Sequence, residues 1–113
     1  MKTKTEHLEL IPSSGNVFAD MDFKDAETHL AKAKLVSRIQ DIIDEHRWNQ
    51  KEAGELLGIN QPKVSALLQG RLDGFSMERL LTLLTRLDQD VTITIKEKPH
   101  RRKDHGHFSV AFA

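Results

Sequence analysis

Cysteine is absent from this chain of 113 residues. That excludes a disulfide scaffold and a thiolate zinc site, and it suits a reducing cytoplasm. Long apolar runs are missing too. None approaches the ~20 residues that a membrane span requires, and the stretch from Met1 to His7 leads into no apolar segment of the kind a secretory signal needs. A cytoplasmic location without membrane contact is expected. Hydrophobic residues make up 38% of the chain and aromatics 5%, near the lower edge for a globular protein, so part of the length should lie outside the core. The size suits one domain with a tail at either end.

An excess of charge of one sign is also lacking, because 17 basic residues balance 17 acidic ones. The balance hides an uneven distribution. From Glu6 to Glu27 the chain carries Glu6, Glu9, Asp20, Asp22, Asp25 and Glu27 against Lys24 alone. From Lys96 to Lys103 it carries Lys96, Lys98, Arg101, Arg102 and Lys103 against Glu97 alone. The two ends should therefore meet different partners.

Signs of catalysis are equally scarce. There is no phosphate loop, no hydrolase elbow and no supported pair of carboxylates. His100, Asp104, His105 and His107 cluster beside Gly106 in a tail with no preorganising scaffold, so neither a metal nor any other cofactor is expected there. An enzyme is not expected.

What is present is helical grammar. Residues 1–24 contain Pro12 and the turn-forming Ser13-Ser14-Gly15-Asn16, and read as an irregular arm. From about Asp25, Leu30, Leu35, Val36, Ile39, Ile42 and Ile43 recur at three- and four-residue spacing, which predicts a helix ending near His46-Arg47. Asn49 can cap a short helix from Gln50 to Leu57, with Gly58 as its left-handed stop. Asn60 can cap the next, with Pro62 in its first turn, running to about Gln69 and ending at Gly70. After the loop Arg71-Leu72-Asp73-Gly74, Ser76 caps a last helix through about Leu87, and Phe75 with Leu80 forms a hydrophobic staple. Val91 to Lys96 alternates with period two and is rich in β-branched residues, which predicts a strand. It needs a partner, either the N-terminal arm or its mate in a second chain. Residues 97–113 read as a basic, disordered tail.

The segment Gln50 to Gln69 has the offsets of two helices crossing steeply over a tight turn. Its fifth position, where the helices come closest, must be small and is Gly54, preceded by Ala53. Its ninth, in the turn, favours positive φ and is Gly58. Leu57, Ile59, Val64 and Leu67 supply the apolar contacts between the two helices.

This pattern resembles the lambda-repressor-like, Xre-type helix-turn-helix family. The segments Gly15-Asn16-Val17-Phe18-Ala19-Asp20, Asn60-Gln61-Pro62-Lys63-Val64-Ser65 and Leu72-Asp73-Gly74-Phe75-Ser76 resemble small HigA-like antitoxins within it. The resemblance covers roughly Gly15 to Ile95. It departs from the family pattern at Gly54, where alanine is usual, a change that costs ~1 kcal/mol of helix propensity. It implies a mainly α fold, a bundle of four to five helices with a short C-terminal β-strand over residues 25–96. It implies a repressor that binds a palindromic double-stranded DNA operator as a homodimer. By the resemblance Gln61 to Gln69 is the recognition helix, Gln61 a bidentate partner for adenine and Ser65 a single-bond partner. Asn60 and Lys63 reach bases or phosphates, unless Asn60 only caps and Lys63 is only solvated. Gln50 meets a phosphate at a helix N-terminus, and Lys51 and Arg71 neutralise neighbouring ones, with Arg47 as a further candidate. The partner of the acidic arm would be a small basic toxin of the HigB/RelE type. A stand-alone regulator with no toxin is the other reading the residues leave open.

Overall fold

The computed structural model describes residues 18–113, and among them four helices form. They are α1 (Phe18–His46), α2 (Gln50–Leu57), α3 (Gln61–Leu68) and α4 (Met77–Arg86). No helix among the described residues is long and apolar enough to cross a membrane. The arm's residues 1–17 lie outside the described part. α1 starts at Phe18 rather than near Asp25, and its 29 residues make it by far the longest element.

One apolar cluster holds the helices together. α1 contributes Leu35, Val36, Ile39, Ile42 and Ile43; α2 Ala53 and Leu57; α3 Val64 and Leu67; α4 Leu80, Leu83 and Leu84, followed by Leu87. Leu72 and Phe75 close the cluster from the loop before α4. The buried stripe on α1 runs 31, 35, 39, 42, a helical repeat that begins at Ala31. Leu30, expected on that face, is one position out of phase and 59% exposed. Burying a Leu or Ile side chain contributes about 1.5–3 kcal/mol, so this cluster is the main reason the short helices persist. Eight-residue helices are marginal alone.

Each helix boundary has a local cause. Asn49 and Glu52 form a reciprocal box at the start of α2: the Glu52 amide donates to Asn49 Oδ1 at 2.8 Å, and the Asn49 amide donates to Glu52 Oε1 at 2.9 Å. Asn60 accepts from the Lys63 amide at 2.9 Å, and Ser76 from the Arg79 amide at 3.0 Å. At the other ends, α1, α3 and α4 close with the same pair of bonds. A residue just past the helix, the first after α1 and the second after α3 and α4, sits in the left-handed region, and the amide after it reaches back five residues, as in Trp48 to Ile43, Arg71 to Ala66 and Gln89 to Leu84. The left-handed residues are Arg47 (φ 57°), Gly70 (φ 78°) and Asp88 (φ 64°). Glycine and aspartate tolerate that conformation; arginine does so at a cost.

Two side chains lock the bundle through long-range bonds. Gln40, in the last two turns of α1, donates its amide to the carbonyls of Leu67 (2.9 Å) and Leu68 (3.3 Å), the last of α3. Arg86 at the end of α4 donates through Nε to the Leu56 carbonyl at 3.0 Å, satisfying one of the open carbonyls at the end of α2.

The expected strand is corrected. Val91 to Lys96 forms neither strand nor helix, and four helices form among the described residues, without a fifth. The alternation is real, but a strand exists only when its amides and carbonyls find a neighbour, and the single chain supplies none among the described residues. Farther on, the chain returns to α1. His107 Nδ1 lies 2.8 Å from Glu27 Oε2, the Phe108 amide donates to Glu27 Oε1 at 3.1 Å, and Lys34 donates to the Val110 carbonyl at 3.2 Å.

Candidate nucleic-acid interface

The angle between α2 and α3 is set by Gly54. A Cβ there would stand 2.8 Å from the Ile59 carbonyl oxygen and 3.4 Å from Val64 Cγ2, so the backbone of α2 lies directly on the turn. The Gly54 carbonyl accepts from both turn amides, Gly58 at 2.8 Å and Ile59 at 3.0 Å. Gly58 takes φ 72°, and a Cβ on it would press against the Arg86 guanidinium at 3.2 Å. Leu57, Val64 and Leu67 are buried and Ile59 is half-buried, as the spacing predicts.

Val64 and Leu67 define the inner face of α3, which leaves Pro62, Ser65 and Gln69 along the opposite face at three- and four-residue steps. Gln61 occupies the first position of the helix and is exposed. Ser65 is half-buried, with its Oγ 3.3 Å from Gln69 Nε2. Neither Gln61 nor Ser65 is packed into the core. Gln50 and Lys51, both exposed, begin α2 just after the Asn49 cap, where early amides point out of the helix.

The remaining expected residues divide by what they touch. Asn60 is exposed, and its side-chain oxygen is engaged as the cap of α3. Arg71 is exposed, with its backbone amide tied to Ala66. Lys63 turns toward its own chain: Nζ donates to the Gly74 carbonyl at 2.9 Å and lies 5.1 Å from the centre of the Phe75 ring. Gln69 was missed by the sequence reading. The signal that could have found it is its place four residues after Ser65, on the same outward face.

The surface is thus a short helix held from behind, with amide and hydroxyl groups in front, and Lys51 and Arg71 are exposed on the neighbouring helix and loop. Such an arrangement suits a polyanion with readable edges.

Comparison with known proteins agrees. A helix-turn-helix domain family matches residues 17–96. A solved structure named as an XRE-family transcriptional regulator is 49% identical; the alignment covers 79% of this chain and 99% of that one, with a TM-score of 0.74. The chain belongs to the XRE family of helix-turn-helix regulators. No curated protein matches it. The family match of this XRE regulator takes in all four helices except their flanking tails, and it runs on to Lys96. The expected family fold is therefore correct in its four helices.

Proposed function

We propose that this XRE-family chain is a sequence-specific repressor that binds a palindromic operator as a homodimer. We propose further that it is the antitoxin of a HigB/RelE-type pair and represses its own operon. The observation that carries the DNA-binding reading is the exposed first turn of α3, with Gln61 and Ser65 outside the core while Val64 and Leu67 anchor the helix from behind. Gln61 pairs with an adenine edge and Ser65 adds one bond. Gln50, Lys51, Asn60 and Arg71 complete the phosphate-facing margin.

One eight-residue reading helix buries little surface, so two half-sites about 34 Å apart are needed for useful specificity. The segment Val91 to Lys96 supports pairing of two chains. Val91, Ile93 and Ile95 are 37%, 61% and 76% exposed, an apolar row facing water beside unladdered backbone. Joining two such segments edge to edge satisfies the backbone and covers the row. The acidic N-terminal stretch supports the antitoxin reading, because a toxin that acts on RNA is basic.

Footprinting on the DNA upstream of the gene tests the repressor: two protected half-sites one helical turn apart are expected, and an absence of protection at low salt refutes it. Sedimentation of a chain cut after Asp90 tests the pairing, since a persisting dimer rules out residues 91–96 as its essential element. Co-purification with a small basic protein encoded next to the gene tests the antitoxin role. Without one, the chain is a stand-alone regulator.

A further inference from the structure

Lys63 looks from sequence like a phosphate ligand, a cation in the first turn of a recognition helix. Its surroundings describe something else. The ammonium donates to the Gly74 carbonyl at 2.9 Å and stands over the Phe75 ring at 5.1 Å, and a Cβ on Gly74 would be 3.4 Å from Nζ. Phe75 is 3% exposed, and its amide closes the loop onto the Leu72 carbonyl at 3.1 Å. The same loop is tied at its other end by the Arg71 amide on Ala66 at 3.0 Å. Both ends of the Gly70–Phe75 segment are therefore fastened to α3, one by backbone and one by Lys63. Arg71, exposed, carries the first of these fastenings on its own backbone, three residues before the second.

We infer that Lys63 is a positioning residue: it clamps the α3–α4 loop so that Arg71 is held ready beside the recognition helix, and it is not itself a phosphate ligand. The inference rests on the DNA-binding reading above and names how one part of that surface is built. The physical reason is preorganisation. A loop already fixed in its bound shape loses less conformational freedom when a duplex arrives. An ammonium over an aromatic face and on a carbonyl has its charge partly satisfied within the chain.

The test is duplex binding over a range of salt concentrations, using a site that the wild-type protein selects from a randomised duplex pool. Each phosphate neutralised contributes a salt slope of about 0.9. Lys51→Met and Arg71→Met should each flatten the slope by about one contact. Lys63→Met keeps the stem over Phe75 and should weaken binding several-fold. In the Arg71→Met background the same change should alter neither slope nor affinity by more than about twofold, because its effect passes through Arg71. A further slope loss in that background makes Lys63 a phosphate ligand and overturns the inference. So does unchanged affinity of Lys63→Met in the wild-type background, which makes the clamp irrelevant to binding. Lys63→Gln carries the same expectations if the methionine variant proves poorly folded. Failure of the wild-type protein to select any duplex refutes the DNA-binding reading itself, a separate outcome.

Discussion

Replacing Gly54 by alanine sets two effects of known size against each other. Glycine in the middle of a helix is about 1 kcal/mol worse than alanine, so propensity alone makes Gly54→Ala a stabilising change. Packing opposes it. The new Cβ would stand 2.8 Å from the Ile59 carbonyl oxygen, inside the 3.0 Å that real Cβ contacts essentially never breach, and 3.4 Å from Val64 Cγ2. The oxygen cannot swing aside as a side chain would. It belongs to the turn, whose two amides are bonded to Gly54, and the next residue is the Asn60 cap. Relief requires α3 to move. Overpacking of this kind costs about 1–3 kcal/mol, so the expected balance is a net loss of about 1 kcal/mol, or roughly 4–8 °C in Tm for a domain of this size. Thermal unfolding followed by circular dichroism measures it. A variant as stable as the parent, or more so, would show that the turn yields freely and that the close approach does not set the interhelical angle.

Arg47→Gly should raise stability by about 0.5–1 kcal/mol in urea titration, since it relieves a left-handed arginine; Asp88→Gly should gain less, as aspartate tolerates that conformation. Gly58→Ala should lose at least about 1 kcal/mol from its φ of 72° alone, and part of any excess should disappear when Arg86→Met removes the guanidinium it would press on. Asn49→Ala removes the bond from the Glu52 amide to Asn49 Oδ1, leaves the residue-49 amide free to donate to Glu52, and should cost about 1 kcal/mol, read as a lower urea midpoint with unchanged slope.

The helices of the turn were readable because their signals are local. Asn49, Gly58, Asn60, Pro62, Gly70 and Ser76 each act within four residues of themselves, and the boundaries they imply agree with the structure to within a residue or two. The start of α1 was not readable, because the segment from Phe18 to Lys24 carries no apolar period to announce a helix. Leu30 was placed on the wrong face because Leu30 and Ala31 are adjacent, and hydrophobicity favoured the larger residue over the one in phase. Alternation in Val91 to Lys96 reports which side chains avoid water; it says nothing about which chain supplies the partner. At the candidate interface, the exposure of Gln61 and Arg71 followed from the pattern. The engagement of Lys63 did not, because its acceptor is a backbone carbonyl eleven residues away. Gln40 and Arg86 escaped for the same reason, with acceptors 27 and 30 residues distant.

Gln40 has one more consequence. With its amide on the two terminal carbonyls of α3, it ties the end of that helix directly to α1. In the proposed homodimer, a protein that gripped α1 would leave each subunit's base preferences intact while shifting the distance between the two heads. Derepression would then come as a loss of register along the duplex, and an operator with altered spacer length should recover the lost affinity.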